Sequence, residues 1–260
     1  MTNLIDLMQS LRCMPKSERA LLRLNAEDLA DGFRQLRENA PRRLQGFYSP
    51  TRSGLNGEPT IRMEEYVAAA LWRKGDVALP NDERLHLLDY QMPLKSVRTD
   101  KGVGKVDLLG VDDRGTLAVI ELKVKGDSED RRIGLLEGLI YAAIVEANVA
   151  KISDDFFKGR GAKISLVRPR VLVVAPAKFW DDDRAYPAAY EIAEIARAVG
   201  TSIPIEIRLL RLCDAERRDW NAGDLVSLQS GACLLPLGER PERQLHLTTP
   251  EIEHHVGISN

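Results

Sequence analysis

Asp107, Glu121 and Lys123 are the residues of this chain best suited to chemistry. They lie in Lys105-Val-Asp-Leu-Leu-Gly-Val-Asp-Asp-Arg-Gly-Thr-Leu-Ala-Val-Ile-Glu-Leu-Lys-Val-Lys125, where the other positions are mostly apolar or turn-forming. Two carboxylates brought together make a seat for a hard divalent cation such as Mg²⁺ or Mn²⁺. A compact ammonium beside them would offset the charge of a phosphodiester. Acidic residues on an apolar strand need such a reason, because an unpartnered buried carboxylate is costly and two adjacent ones repel and raise a pKa. The competing account is a cross-strand acidic pair at a sheet edge, neutralised by Lys123 and Lys105.

Whether these side chains meet depends on a β-hairpin. Both halves of the stretch are rich in Val, Ile and Leu, and turn formers separate them. Alternate residues of a strand share a face, so Leu117, Val119, Glu121 and Lys123 line one face, and Asp107, Leu109 and Val111 line one face of the preceding strand. A three-residue loop, Asp113-Arg114-Gly115 with Gly115 left-handed, pairs Asp112 with Thr116 and sets Asp107 directly opposite Glu121. Cross-strand Cβ atoms then stand about 4.5–5.5 Å apart. A two-residue loop would send the carboxylates to opposite faces.

Asp107 followed by Glu121-Leu122-Lys123 resembles the core motif of the PD-(D/E)XK nuclease superfamily, with Val106 in place of the proline. The resemblance implies a restriction-endonuclease-like α/β sandwich, a central mixed β-sheet flanked by helices. It also implies a helix before the hairpin that supplies a further glutamate. Ile61 to Gly75 fills that place, with Glu64 at the edge of an apolar stripe formed by Val67, Ala68 and Leu71, and Glu65 as the alternative. On this resemblance Glu64, Asp107 and Glu121 with the Leu122 carbonyl hold Mg²⁺ or Mn²⁺, Glu64 directly or through water, and Lys123 joins Asp107, Glu121 and Glu64 as a catalytic residue. Several branches carry Gln-x-x-x-Tyr on the helix after the hairpin; here Glu137-x-x-x-Tyr141 has that spacing on one face of an apolar helix, Ile133–Ala147, and makes a secondary pair of candidates.

The remaining elements read as a strand over Arg84–Leu94, a buried strand over Arg170–Pro176, a helix from Tyr186 to Val199 closing at Gly200, and a strand over Ile203–Leu212. The order helix, three strands, helix, strand, helix, strand specifies an α/β sandwich around one mixed sheet. Residues 1–58 read as a helical extension (Leu4–Leu11, Ser17–Leu24, Ala26–Arg37), residues 59–215 as the nuclease-like core, and residues 216–260 as an extension with a short strand pair, Leu225–Gln229 and Cys233–Leu237, and a polar tail.

At 260 residues and 44 % hydrophobic the chain can bury a full core. No run reaches the apolar length of a membrane span, and Asp6 and Gln9 interrupt any signal-peptide pattern. Three dispersed cysteines, Cys13, Cys213 and Cys233, favour neither a disulfide framework nor a zinc site, so a reducing cytoplasm is expected. The net charge of −2 argues against a strongly basic nucleic-acid binder. Local groups matter more: Arg34, Arg37, Arg42 and Arg43; Lys123, Lys125, Arg131 and Arg132; Arg168 and Arg170. The Lys125–Arg132 stretch follows the motif and is placed to cap the next helix or to contact phosphates. The expectation is a metal-dependent nuclease acting on DNA, or on RNA, in repair or defence. The alternative is a catalytically silent nuclease-like module that binds nucleic acid or protein. The N-terminal helices are candidates for homodimer or partner-subunit contacts.

Overall fold

The computed structural model describes residues 3–43, 63–80, 83–94, 104–124, 130–181, 187–212 and 234–236. The strands β1 (Asp76–Ala78), β2 (Arg84–Pro93), β3 (Lys105–Asp112), β4 (Leu117–Leu122), β5 (Arg170–Pro176), β6 (Ile207–Leu212) and β7 (Leu234–Pro236) form one sheet in chain order. β1 to β4 are antiparallel neighbours, β4, β5 and β6 run parallel, and β7 returns antiparallel to β6. The antiparallel half follows from short turns. The parallel half requires the crossover helices α5 (Arg131–Ala147), α6 (Val149–Arg160) and α8 (Ala189–Ser202), with the short α7 (Ala177–Asp181) beside β5.

Helices cover both faces of this mixed α/β sheet. On one side α5 and α8 are joined by the N-terminal helices α1 (Leu4–Cys13) and α3 (Ala26–Asn39) over Leu109, Val111, Leu117, Val119, Val171 and Val173. On the other, α4 (Met63–Lys74) packs through Val67, Ala68 and Leu71 on Leu85, Leu87, Leu108, Ile120 and Leu172. β4 and β5 are buried throughout, as strands sandwiched between helical layers must be. α5 sits unusually close to the sheet. A Cβ at Gly138 would stand 2.7 Å from Val171 Cγ1, and one at Gly134 would stand 3.1 Å from Val173 Cγ1. A side chain at Gly138 would have to shift Val171 or lift the helix from β5, whereas at Gly134 Val173 need give by only a few tenths of an ångström.

The hairpin has the expected loop. Gly115 has φ +83°, its N–H donates to the Asp112 carbonyl, and the Asp112 N–H donates to the Thr116 carbonyl at 3.0 Å. The N-terminal helices do not form a layer of their own. Leu4, Met8, Leu11, Leu29 and Phe33 belong to the same buried cluster as α5 and α8, so these apolar faces are taken up within the chain.

Several expectations need correction. The helix foreseen over Ser17–Leu24 is one turn, α2 (Lys16–Arg19). Beyond it the chain turns to i→i+3 bonds, Leu21 to Glu18 and Leu22 to Arg19, and the Arg19 and Leu22 carbonyls also accept from the Arg132 guanidinium. The helix closing at Gly200 instead runs from Ala189 to Ser202, and the last strand begins at Ile207 rather than Ile203, because Ile203 and Ile205 turn inward to the core. β1, α6 and α7 were not foreseen. Leu225–Gln229 lies outside the described residues, whereas Leu234–Pro236 is a strand beside β6. Among the described residues no single helix is long and apolar enough to cross a membrane.

At the far end of the sheet from the carboxylates, Arg170 is buried and ties four elements together. It pairs with Asp112, with Glu83 at 2.8 Å and with Glu206 at 2.9 Å. The Arg170 and Arg208 guanidiniums hold the Glu83 carboxyl below the usual range against the opposing pull of desolvation. Arg170→Met is expected to leave Asp112 with only the Arg114 and Thr116 N–H groups and the exposed Arg114 guanidinium, and to lower the thermal midpoint by several degrees while leaving the carboxylate site untouched. Melting curves and Mn²⁺ binding check the two halves of that expectation.

Candidate metal centre

β3 and β4 pair as Leu108↔Ile120, Leu109↔Val119, Gly110↔Ala118 and Val111↔Leu117. Carried one step further, that register sets Asp107 against Glu121. The regular ladder stops there. Its alternation would join the Leu122 N–H to the Val106 carbonyl, but the Leu122 N–H donates instead to Asp107 Oδ2 at 2.9 Å. The Asp107 carboxylate therefore stands at the point where the two strands part, and its Oδ1 accepts from Gln91 Nε2 at 2.8 Å.

Glu121 and Lys123 share the α5 side of β4 and are 3 % and 4 % exposed. Lys123 Nζ donates to Glu121 Oε1 at 2.7 Å and to Glu137 Oε2 at 2.6 Å. Glu137, reaching down from α5, takes Arg12 of α1 on its other oxygen. Tyr141, one turn along α5, is buried with its hydroxyl against Gly104 and feels the charges of Glu121, Glu137 and Asp107. Glu64 and Glu65 are half-buried in the first turn of α4. Glu64 is the α4 glutamate whose charge registers at Asp107.

Burial raises the Asp107 carboxyl to about 6, against the lowering pull of the Leu122 N–H and Lys123. Burial and the charge of Asp107 push Glu121 well above the usual carboxylate range. Burial would raise Glu137 too, but Lys123 and Arg12 outweigh it and hold that carboxyl below its ordinary value. Burial and the neighbouring carboxylates carry the Tyr141 phenol far up. Three carboxylates thus face two cations, and one carboxylate oxygen, Glu121 Oε2, is buried without a hydrogen-bond partner. In the metal-free protein a proton on Glu121, shared with Glu137, balances these charges, and a divalent cation would take its place beside the orphaned oxygen.

The predicted ligands are brought together only in part. Asp107 and Glu121 stand opposite each other in register, and the Leu122 N–H binds the Asp107 carboxylate. Among the described residues, however, no three His, Cys, Asp or Glu side chains are gathered as ligands about one point. The three-carboxylate set with Glu64 is therefore not assembled among the described residues. Two carboxylates nonetheless fit Mg²⁺, which is usually held by one or two, the remaining positions going to water and substrate phosphate.

Of the two roles open to the Lys125–Arg132 stretch, the structure shows the cap, supplied by Asp130, and turns Arg131 and Arg132 inward. Arg131 is 1 % exposed and donates to the carbonyls of Phe179, Pro187 and Trp180 at 2.9, 2.8 and 3.0 Å. Arg132 is paired with Asp130, the N-cap of α5, and reaches the Leu22 and Arg19 carbonyls. Arg37 and Arg168 both pair with Glu146. Arg34 reaches Asp31 and the Ser202 carbonyl, Arg42 the Ala147 carbonyl and Arg43 the Pro93 carbonyl. These arginines fasten elements to one another. Lys125 lies outside the described residues.

Sequence reasoning missed Arg12 and Gln91. Arg12 meets Glu137 across 125 positions, and nothing in its neighbourhood announces the pairing. Gln91 sits in a strand read only for its apolar pattern. Comparison of the chain with protein-family models, with curated proteins and with solved structures finds no match. The geometry of the site therefore carries the functional argument.

Asp107→Asn offers a stability test of this electrostatic picture. A folded value near 6 lies above the ordinary Asp value of about 3.9. The native state thus holds its proton longer than the unfolded chain, and stability falls as pH rises through the window between the two values. An asparagine can keep both hydrogen bonds, with Gln91 turning its amide, and carries no charge. The metal-free variant is expected to be at least as stable as the parent at pH 8, with a flatter profile from pH 4 to 7. Urea unfolding midpoints across that range measure it.

Proposed function

We propose that the protein is a divalent-metal-dependent nuclease that hydrolyses DNA phosphodiester bonds, on a restriction-endonuclease-like sandwich. The observation that carries this reading is the facing of Asp107 and Glu121 at the parting of β3 and β4, with Lys123 on the same side and Glu121 Oε2 lacking a partner. The order α4, β1, β2, β3, β4, α5, α6, β5, with β5 parallel to β4, supports it at the level of fold.

Asp107 and Glu121 would hold Mg²⁺ or Mn²⁺, with the Leu122 carbonyl as a further donor and Glu64 acting through water. When bound, the ion supplies Lewis acidity that favours hydroxide over water and offsets charge on the phosphoryl group. Lys123 then orients the attacking water or balances transition-state charge. Glu137, fixed by Arg12, holds the Lys123 ammonium in place, and Tyr141 closes the inner wall. DNA is the proposed substrate, RNA the next to test.

A second reading is favoured by one observation. Lys123 already joins Glu121 to Glu137, so the site neutralises much of its own charge. A catalytically silent module that binds nucleic acid or protein would use the same cluster as a structural lock.

The two readings separate on a panel of linear, nicked, single-stranded and branched DNAs and an RNA, incubated with Mn²⁺, Mg²⁺ or EDTA. The nuclease reading predicts cleavage that EDTA abolishes, that excess Mn²⁺ restores, and that Glu121→Gln loses by at least about a hundredfold. Cleavage by Glu121→Gln at the parental rate would sink it.

A further inference from the structure

We propose that Gln91 is a positioning residue for Asp107, held in a strained backbone so that its amide fixes the orientation of that carboxylate; the inference rests on the metal-site reading above. Among the described residues Gln91 is the one non-glycine residue with positive φ, at 49°. Glutamine has no intrinsic reason to adopt that conformation in the middle of a strand, and such outliers persist only where the surroundings impose them.

The surroundings here are the strand pairing. β2 and β3 pair as Leu85↔Asp112, His86↔Val111 and Leu87↔Gly110, then shift by one residue to Asp89↔Leu109, Tyr90↔Leu108 and Met92↔Val106. Without that bulge Gln91 would stand opposite Val106 and face the other way, since a one-residue slip exchanges the faces of a strand. With it, Gln91 stands opposite Asp107. The alternation is then reset at this step. Tyr90 and Leu108 belong to the apolar layer under α4, whereas Met92 and Val106 belong to the layer under α5. The sheet changes over at the Gln91–Asp107 pair. There Gln91 Nε2 donates to Asp107 Oδ1, while the Leu122 N–H takes Oδ2. The carboxylate is fixed from both sides, by an amide of β2 and an amide of β4. Partners of this kind orient a ligand without touching the ion.

The backbone supplies the test. Gln91→Gly removes the amide and also relieves the positive φ, so a purely structural role and a positioning role predict opposite results. Mn²⁺ is titrated calorimetrically into the full chain, the Gln91→Gly variant and a Glu121→Gln control at pH 7.5, with thermal midpoints measured without metal. The expected result is a midpoint for Gln91→Gly equal to or above the parent, with Mn²⁺ affinity lower by about tenfold, the lower end of what loss of such a partner does. Gln91→Asn tolerates the same φ but has a shorter reach; it is expected to match Gln91→Gly in affinity and serves if the glycine variant folds poorly. Parental affinity in both variants, with Glu121-dependent binding in the parent, would overturn this inference alone. Absence of Glu121-dependent Mn²⁺ binding in the parent would overturn the metal-site reading and this inference with it.

Discussion

Lys123→Met is expected to destabilise the protein by about 3 to 5 kcal/mol near pH 8, as removal of one partner from a buried ion cluster does, and by markedly less at pH 5. The sequence alone suggests a lysine whose loss would abolish cleavage and leave folding intact. The structure changes that expectation, because Lys123 is enclosed and its ammonium joins Glu121 to Glu137. Without it two buried carboxylates stand together, and only Arg12 remains against Glu137. The pH dependence comes from the variant, because the parent's Glu137 keeps its contribution at both pH values. Its folded value lies below the ordinary one, so it contributes stability above the ordinary glutamate value of about 4.3 and loses it as pH falls through the folded value. In Lys123→Met that contribution disappears, and both carboxylates take up protons as pH falls, so the gap from the parent narrows on acidification. Urea midpoints at pH 5 and pH 8 measure the gap, and cleavage corrected for the folded fraction should remain absent at both. A lysine at the rim of a solvated site would instead cost under about 1 kcal/mol at either pH.

Arg131→Met is expected to lower stability by at least about 3 kcal/mol, because three buried carbonyls lose a charged donor and each orphaned group costs about 1–3 kcal/mol. DNA affinity of the folded fraction should be unchanged. The position of Arg131 after the motif allows a helix cap or a phosphate contact; were it a phosphate ligand, the variant would fold normally and bind DNA more weakly. Denaturation and fluorescence anisotropy on the same preparation distinguish the two outcomes. The carbonyls belong to Phe179, Trp180 and Pro187, so this side chain anchors α7 and the start of α8 to the first turn of α5, the helix that carries Glu137.

What the sequence made legible was local. The period-two pattern of β3 and β4 and the demand of Asp113-Arg114-Gly115 for a left-handed glycine gave the hairpin register, and with it the facing of Asp107 and Glu121. The helical period gave α4 and α5 to within a few residues. What stayed hidden depends on the chain meeting itself at long range. The Arg12–Glu137 pair joins two helices far apart in sequence. Arg131 and Arg132 look like solvated charge until the carbonyls that receive them are known. The positive φ of Gln91 comes from a bulge several residues earlier and from the crossing of two apolar layers, neither of which a residue type announces. Glu64 shows the boundary between the two kinds of information: its place on the helix was readable, but its distance from Glu121 depends on how α4 lies against the opposite face of the sheet.

If Asp107 and Glu121 hold a divalent cation that cleaves DNA, Asp107→Asn must lose that activity. The substitution keeps size and hydrogen bonds and should not destabilise the fold, so lost activity is not lost protein. With folded parent and variant compared on the same DNA panel in Mn²⁺ at pH 8, the expected result is cleavage by the parent and a loss of at least about a hundredfold in the variant. Equal cleavage by the two proteins, or no cleavage by the parent on any substrate, would contradict it.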